Sequence, residues 1–437
     1  MRENTLLKEF FRYVCLNILG MIGLSCYILA DTFFIARGLG AKGLTALNLA
    51  IPIYSFVNGC GLMLGMGGAT KYSIFLGKKE YRQGNRCFFH VILAASSLSL
   101  VFILAGIFFS ETLALALGAD REVFWMTKTY LQIILLFSPA FIFNGIFVCF
   151  VRNDGNPSLS MTAMLVGSLS NIILDYILIF PLQLGILGAV LATGCSPVIS
   201  MCILLKHKFS GKNHFGLEKS QFSPGFMAGI LSLGIPSLIT EVASGIAMIV
   251  FNSLILGLSG NTGVAAYGVV ANLSLVVTSI FTGIAQGFQP LASHSYGRGK
   301  KEEIQKLLHY ALTLVLFISG ITYLVFFCAA APITTAFNSE GNQDLQKIAV
   351  MGMKLYFTSI PFMGLNIILS TYFTSGEHAL PAQGISLSRG FFLLLPTAFL
   401  LARLFGMTGV FLSCPVTEFI VFAMGLLFYC KRNPPML

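Results

Sequence analysis

Apolar residues along this chain run in long blocks, and the polar positions between them come in short clusters. A helix needs about 20 apolar residues to cross a bilayer. Twelve blocks meet that length: 10–36, 44–69, 88–109, 123–151, 158–182, 186–206, 227–258, 264–292, 307–331, 346–374, 379–402 and 408–430. Little chain is left over. The longest polar stretch, 207–226, reads as a linker between two sets of six. The pattern predicts an all-α membrane protein with twelve transmembrane helices.

Composition narrows the class further. Charged residues are 10% of the chain and hydrophobic ones 56%, against about 25% charged in a soluble domain. There are too few polar residues to coat a water-soluble enzyme. The net charge of +10 does not point to nucleic acid, because the basic residues cluster between apolar blocks, where lipid headgroups are their partners. Ten cysteines form no C-x-x-C pattern; Cys60, Cys149, Cys328 and Cys414 lie in apolar stretches and read as packing residues. The basic N-terminus runs into apolar sequence with no A-x-A site, as expected of a retained first helix. No G-x-x-x-x-G-K-[ST] occurs, so ATP hydrolysis by this chain is not expected. If the N-terminus faces the cytoplasm, nineteen basic residues fall inside, seven outside and Arg389 within a span. That bias predicts both termini and the linker on the cytoplasmic side of the cell (inner) membrane.

The halves resemble each other. At an offset of 220, Gly40, Gly43, Ala46, Gly67 and Gly77 fall on Gly260, Gly263, Ala266, Gly287 and Gly297. At 222, Pro139 and Asn144 fall on Pro361 and Asn366, and at 221 Gly155 and Gly188 fall on Gly376 and Gly409. Six spans per half is an even number, so both halves enter from the same side and form a parallel repeat. The expected organisation is an N-terminal lobe (1–206), a cytoplasmic linker (207–226) and a C-terminal lobe (227–437).

Ionisable residues inside spans are costly and mark function. Here they are Asp31, Asp175, Glu241, Glu418 and Arg389. Asp31 and Asp175 each lie seven residues from the outer end of their span, about 10 Å deep at about 1.5 Å per residue. Thr193 and Tyr130 reach the same depth, and Asn171 lies at i−4 from Asp175, on the same helix face. One layer of the first lobe thus gathers two carboxyls, an amide, a hydroxyl and a phenol. Two carboxylates cannot both stay charged and unpaired in a low-dielectric site, so the cluster takes up a proton, or its oxygens hold a hard cation such as Na⁺. At the repeat offsets the second lobe carries Phe251, Phe392, Pro396, Cys414 and Gly352 instead. A cluster that merely held a lobe together would recur in both. Glu241 falls near the midplane and is the second lobe's candidate for cation or substrate binding. Arg389 and Glu418, at similar depths on neighbouring spans, are expected to form a structural ion pair.

Several strings resemble the multidrug and toxic compound extrusion (MATE) family over nearly the whole chain, and look similar to its bacterial MepA-like branch. They are ILADTFFIARGLGAKGLTALNLAIP (28–52), RNDGNP (152–157), NIILDYILIF (171–180), LGILGAVLAT (184–193), LGIPS (233–237) and FQPLASHSYGRGKKEEI (288–304). The resemblance implies twelve helices in two six-helix lobes and cation-coupled drug efflux. The family's first-lobe ion site matches Asp31, Asn171, Asp175, Thr193 and Tyr130 here, and its helix-7 acid matches Glu241. Some members carry an acid on helix 10 as well; span 10 here has Asn366.

The expected activity is therefore secondary antiport of small organic, mostly cationic, compounds against H⁺ or Na⁺, by alternating access of two lobes. No cofactor, no nucleic acid partner and no enzymatic role are expected; the partners are the substrate and the lipid bilayer, and the chain is expected to be monomeric. A flippase or exporter of a lipid-linked or other anionic metabolite is the alternative. Such an anion would want several deep arginines, and the spans hold one against four acids. A membrane-embedded enzyme would want a polar cluster that the six scattered histidines do not form.

Overall fold

The computed structural model describes residues 3–211, 213–218, 220–338 and 341–432. Arg2, Lys212 and Lys219, counted in the charge bias above, lie outside the described residues. The described residues form helices joined by short turns, with no strand among them.

Two very long helices, Glu3–Gly77 and Pro224–Gly297, each hold two spans. The reversal is made at Gly40 (φ 64°, ψ −157°) in one and Gly260 (φ 59°, ψ −156°) in the other. A Cβ at either position would meet nothing within 4 Å, so it is the backbone angle that demands glycine, not crowding. A third helix, Leu394–Arg432, turns in the same way at Gly406. With these reversals the chain makes twelve spans in two lobes of six. Span 1 is 3–39 and span 2 is 41–77. Span 3 is Tyr81–Phe108. Span 4 is Phe124–Leu136 with Ser138–Asn153, bent by 48°. Span 5 is Pro157–Ile179 and span 6 is Gly185–Leu204. Span 7 is 224–259, span 8 is 261–297 and span 9 is Lys301–Cys328. Span 10 is 343–375, span 11 is 379–405 and span 12 is 407–432. The bend in span 4 falls where Pro139 removes a helical N–H; its repeat mate Pro361 follows a 3₁₀ turn, Phe357–Ser359, in span 10.

The duplication extends to the turns. Positive φ recurs at Gly40 and Gly260, Lys79 and Gly299, Gly118 and Gly341, and Gly185 and Gly406. Each lobe has its own apolar core, one around Val57, Phe88, Ile134 and Phe150, the other around Phe281, Phe288, Ile360 and Phe411. The start of span 1 is an exception: Leu6, Phe10 and Val14 pack into the second lobe's core. Cys328, expected in a packed interior, is exposed on the protein surface.

The lobes meet at the end that carries the termini. Gly67 and Gly234 bring spans 2 and 7 backbone to backbone, and Gly283 and Gly287 bring span 8 against Ile18 and Val14 of span 1. Gly77 and Gly297 touch each other's helix ends, as expected of repeat mates beside a pseudo-twofold axis. Polar contacts lock the same seam. Fully buried Arg152 donates to Asn17 Oδ1 at 2.9 Å and to Gln286, Asn153 pairs with Gln289 at 3.1 Å, and Ser73 donates to the Pro290 carbonyl at 3.1 Å. Glycine contacts between the lobes run from this end to just past the middle of the molecule, where Gly245 meets Ser55.

The segment after span 6 is docked on the first lobe. Asp154, with its side chain fully buried, accepts from Tyr72 Oη (2.6 Å), the His214 backbone N–H (2.8 Å) and both a His207 and a His214 ring nitrogen (2.8 and 2.9 Å). Phe215 inserts among Tyr72, Phe88, Phe150 and His207.

Candidate functional site

Asp31 sits on span 1, nine residues before the Gly40 reversal. Asn171 and Asp175 are one turn apart on span 5, Thr193 is on span 6 and Tyr130 on span 4. All five are buried: Asn171 and Asp175 fully, Tyr130, Thr193 and Asp31 to within 8%. Four separate spans thus converge on one point inside the first lobe.

Their contacts are mutual. With its amide turned so that the oxygen faces span 6, Asn171 donates to Asp175 Oδ2 at 3.0 Å and accepts from the Thr193 backbone N–H at 3.3 Å. Thr193 Oγ1 donates to the Ala189 carbonyl at 3.1 Å and lies beside Tyr130. The Asp31 and Asp175 carboxyls lie beside each other, where both cannot stay charged without a proton or cation between them. Each still has one buried oxygen, Oδ1, with no partner. Pro197 lies in the same helix four residues after Thr193 and has no N–H, so the Thr193 carbonyl lacks its helical donor. The site therefore offers acceptors in excess of donors. An added proton or a hard, oxygen-seeking cation satisfies that imbalance. Among the described residues no group of three His, Cys, Asp or Glu is placed to hold a metal ion.

A second polar string leads away from this cluster. Tyr27 and Tyr54 join their hydroxyls at 2.9 Å, and Asn58 donates to Glu241 Oε2 at 3.3 Å, bridging spans 2 and 7. Sequence reasoning missed Tyr27, Tyr54 and Asn58. Helical spacing was the available signal: Tyr27 lies at i−4 from Asp31, and Asn58 at i+4 from Tyr54. It also missed the role of Asp154 as an acceptor hub, because its donors come from spans and linker far along the chain.

The second lobe has a different arrangement. Arg389 Nε lies 2.9 and 3.0 Å from the two Glu418 oxygens, and Nη2 lies 2.7 Å from Oε1. Asn366 donates to Glu418 Oε2 at 2.7 Å and to the Glu418 carbonyl at 2.9 Å. Arg389 sits in a π-helical turn, Ser388–Phe392, which re-aims its side chain towards span 12. The repeat mates of the first-lobe cluster stay apolar: Phe251 stacks on Tyr267 and Gly352 packs under Phe411.

These features, two six-span lobes with a carboxyl pair buried in one, define a polytopic membrane transporter. The MatE family profile matches residues 17–177 and 236–400, and the chain belongs to that family. Among curated proteins it is 26% identical to "Multidrug export protein MepA" of Staphylococcus aureus (strain MSSA476), covering 99% of this chain and 95% of the relative. A similar protein of the same name from Staphylococcus saprophyticus is 25% identical over the same shares. A crystal structure of a MATE protein in complex with MaL6 superposes with a TM-score of 0.92 at 20% identity, covering 99% of this chain and 98% of the other; it establishes likeness of fold.

Proposed function

We propose that this protein is a secondary antiporter of the cell membrane that exports small organic, mostly cationic, compounds in exchange for H⁺ or Na⁺. The observation that carries the reading is the buried Asp31–Asp175 pair, with one unpartnered oxygen on each carboxyl. A site of this kind holds its cation in one state of the protein and gives it up in another. Its relatives' description as multidrug exporters supports the substrate class.

In this reading the lobes alternate between the arrangement seen here, sealed at the end with the termini, and one sealed at the opposite end. The bias of basic residues supports cytoplasmic termini, and on that reading the arrangement seen here faces outward. Cation entry at Asp31/Asp175 and drug binding favour opposite arrangements, and each drives out the other. An inward cation delivers about 2.3 kcal/mol per charge per 100 mV of membrane potential, plus its concentration gradient. Asn171, Thr193 and Tyr130 hold the carboxyls in register. Glu241, linked to span 2 through Asn58, is the acid available to a cationic drug or a second cation between the lobes. Arg389 and Glu418 neutralise each other and act as a clamp, so the first-lobe pair is the group that changes charge. The chain works as a monomer without a bound cofactor.

The test is uptake of a fluorescent organic cation by proteoliposomes under separately imposed pH and Na⁺ gradients. One of the two gradients should drive transport. Equal uptake with neither gradient would exclude coupled antiport.

A further inference from the structure

At the end remote from the termini, a groove of about 720 Å³ runs down the flank of the second lobe between spans 9 and 10. Its walls are apolar: Tyr323 and Phe327 from span 9, Val350, Met351 and Leu355 from span 10. Lys347 and Lys354 line it as well. They lie seven residues apart, hence on one helix face and about 10 Å apart along its axis. Lys354 Nζ sits 4.9 Å from the Phe327 ring centre. No carboxylate pairs with either lysine among the described residues.

The duplicated lobe supplies an internal comparison. In the first lobe Lys128 lies over Trp125 at 5.0 Å, as Lys354 lies over Phe327, but its ammonium is bound to Glu111 Oε2 at 2.8 Å. Glu111 is the second residue of the short helix Ser110–Ala116. The matching helix of the second lobe, Ala330–Phe337, has Ala331 as its second residue, and Ala331 lines the groove. Gln346 pins that helix in place by donating to the Ala331 carbonyl and to Thr335 Oγ1, both at 3.0 Å. The lysines are not repeat mates, since at the offset of 222 Lys128 falls on Val350 and Trp125 on Lys347; the first lobe neutralises the cation at this end of its span, and the second leaves two cations above an apolar slot.

A slot of this shape in a membrane-facing flank fits a molecule with a long apolar chain that ends in an anion. We propose that the groove binds an anionic phospholipid, its acyl chain along Phe327, Met351 and Leu355 and its phosphate between Lys347 and Lys354. Lys347 is exposed and Lys354 half-buried, so their stems can follow the apolar wall while the ammonium groups reach a lipid headgroup. The bilayer presents the ligand at high local concentration. A zwitterionic lipid carries its own ammonium and gains less from the two lysines. Near an anionic surface each lysine contributes about a fivefold gain in binding.

Trp125 is the single tryptophan, which makes a two-site fluorescence test possible on the full chain. In a Trp125→Phe, Phe327→Trp variant the only indole lies in the groove. Reconstituted with phospholipids brominated on the acyl chain, this variant should be quenched by phosphatidylglycerol at least about fivefold more effectively than by phosphatidylcholine. Adding Lys347→Gln and Lys354→Gln should remove the preference, whereas Lys347→Arg and Lys354→Arg should keep it. Millimolar inorganic phosphate should leave the quenching unchanged, which separates a lipid from a free anion. In the otherwise unaltered chain Trp125 should show no preference, and Glu111→Gln should create one. Equal quenching by both lipids at position 327, a preference that survives the double Gln change, displacement by phosphate, or an equal preference at Trp125 would each overturn the proposal.

Discussion

A carboxyl inside the bilayer survives only with partners, and the two lobes meet this demand differently. Asp31 has Asp175, and the pair is left with spare oxygens; Glu418 has a bidentate arginine and an amide, which saturate both of its oxygens. Removing one member of a buried ion pair costs about 3–5 kcal/mol, whereas removing both can cost far less. Arg389→Ala and Glu418→Ala should therefore each lower the folded yield in detergent, and the double change should recover part of it; additive losses would count against a clamp. Tyr27→Phe should slow export without lowering the yield, because it removes only the hydroxyl bonded to Tyr54; an unchanged export rate would remove the tyrosine pair from the account. The charged residues themselves were legible in the sequence, since any ionisable residue in an apolar block stands out and helix rise gives its depth. Their hydrogen-bonded neighbours were less so. Tyr27 and Asn58 are ordinary residues until the packing of spans 1, 2 and 7 gives them partners.

At the level of elements, hydropathy located all twelve spans but not how they are joined. It placed loops at 37–43 and 259–263, where the backbone keeps helical hydrogen bonding up to a single glycine and reverses there. Only residues without a Cβ adopt the angles of Gly40 and Gly260 at no cost; Gly40→Ala or Gly260→Ala should destabilise the fold by about 1–3 kcal/mol, read as a lower melting temperature in detergent. Gly234 matters for a different reason. A Cβ there would run into the Met63 backbone across the lobe seam, so Gly234→Ala should hold the seam apart. With the ten native cysteines replaced, a thiol placed by Ser73→Cys, buried under the Pro290 carbonyl in the sealed state, should then be labelled faster; unchanged labelling would mean that the seam accommodates the methyl group. Glycine matches between the halves hinted at these contacts. Which glycines face the other lobe follows from the paired seam, which one sequence does not display.

For the whole molecule, the repeat and the number of apolar blocks carried the architecture, because both are properties of the chain that no packing detail alters. What they could not convey is which way the two lobes lean. That depends on the balance between the seam of Arg152, Asn153, Gln286 and Gln289 and whatever contacts close the opposite end, a difference of a few side-chain bonds. In the proposed reading, four intramembrane acids against one arginine favour a cationic cargo: a lipophilic cation should be exported in preference to an anion of similar size, and equal export of an anionic dye would favour a carrier of anionic metabolites. The central claim is that Asp31 and Asp175 convert a cation gradient into export. Its most direct test is proteoliposome transport of an organic cation under an imposed H⁺ or Na⁺ gradient, comparing the unaltered protein with Asp31→Asn and Asp175→Asn. Gradient-driven uptake should be lost in both variants while their yield and fluorescence-monitored melting stay near those of the unaltered protein. Uptake in either variant that still follows the gradient at the rate of the unaltered protein would contradict the account.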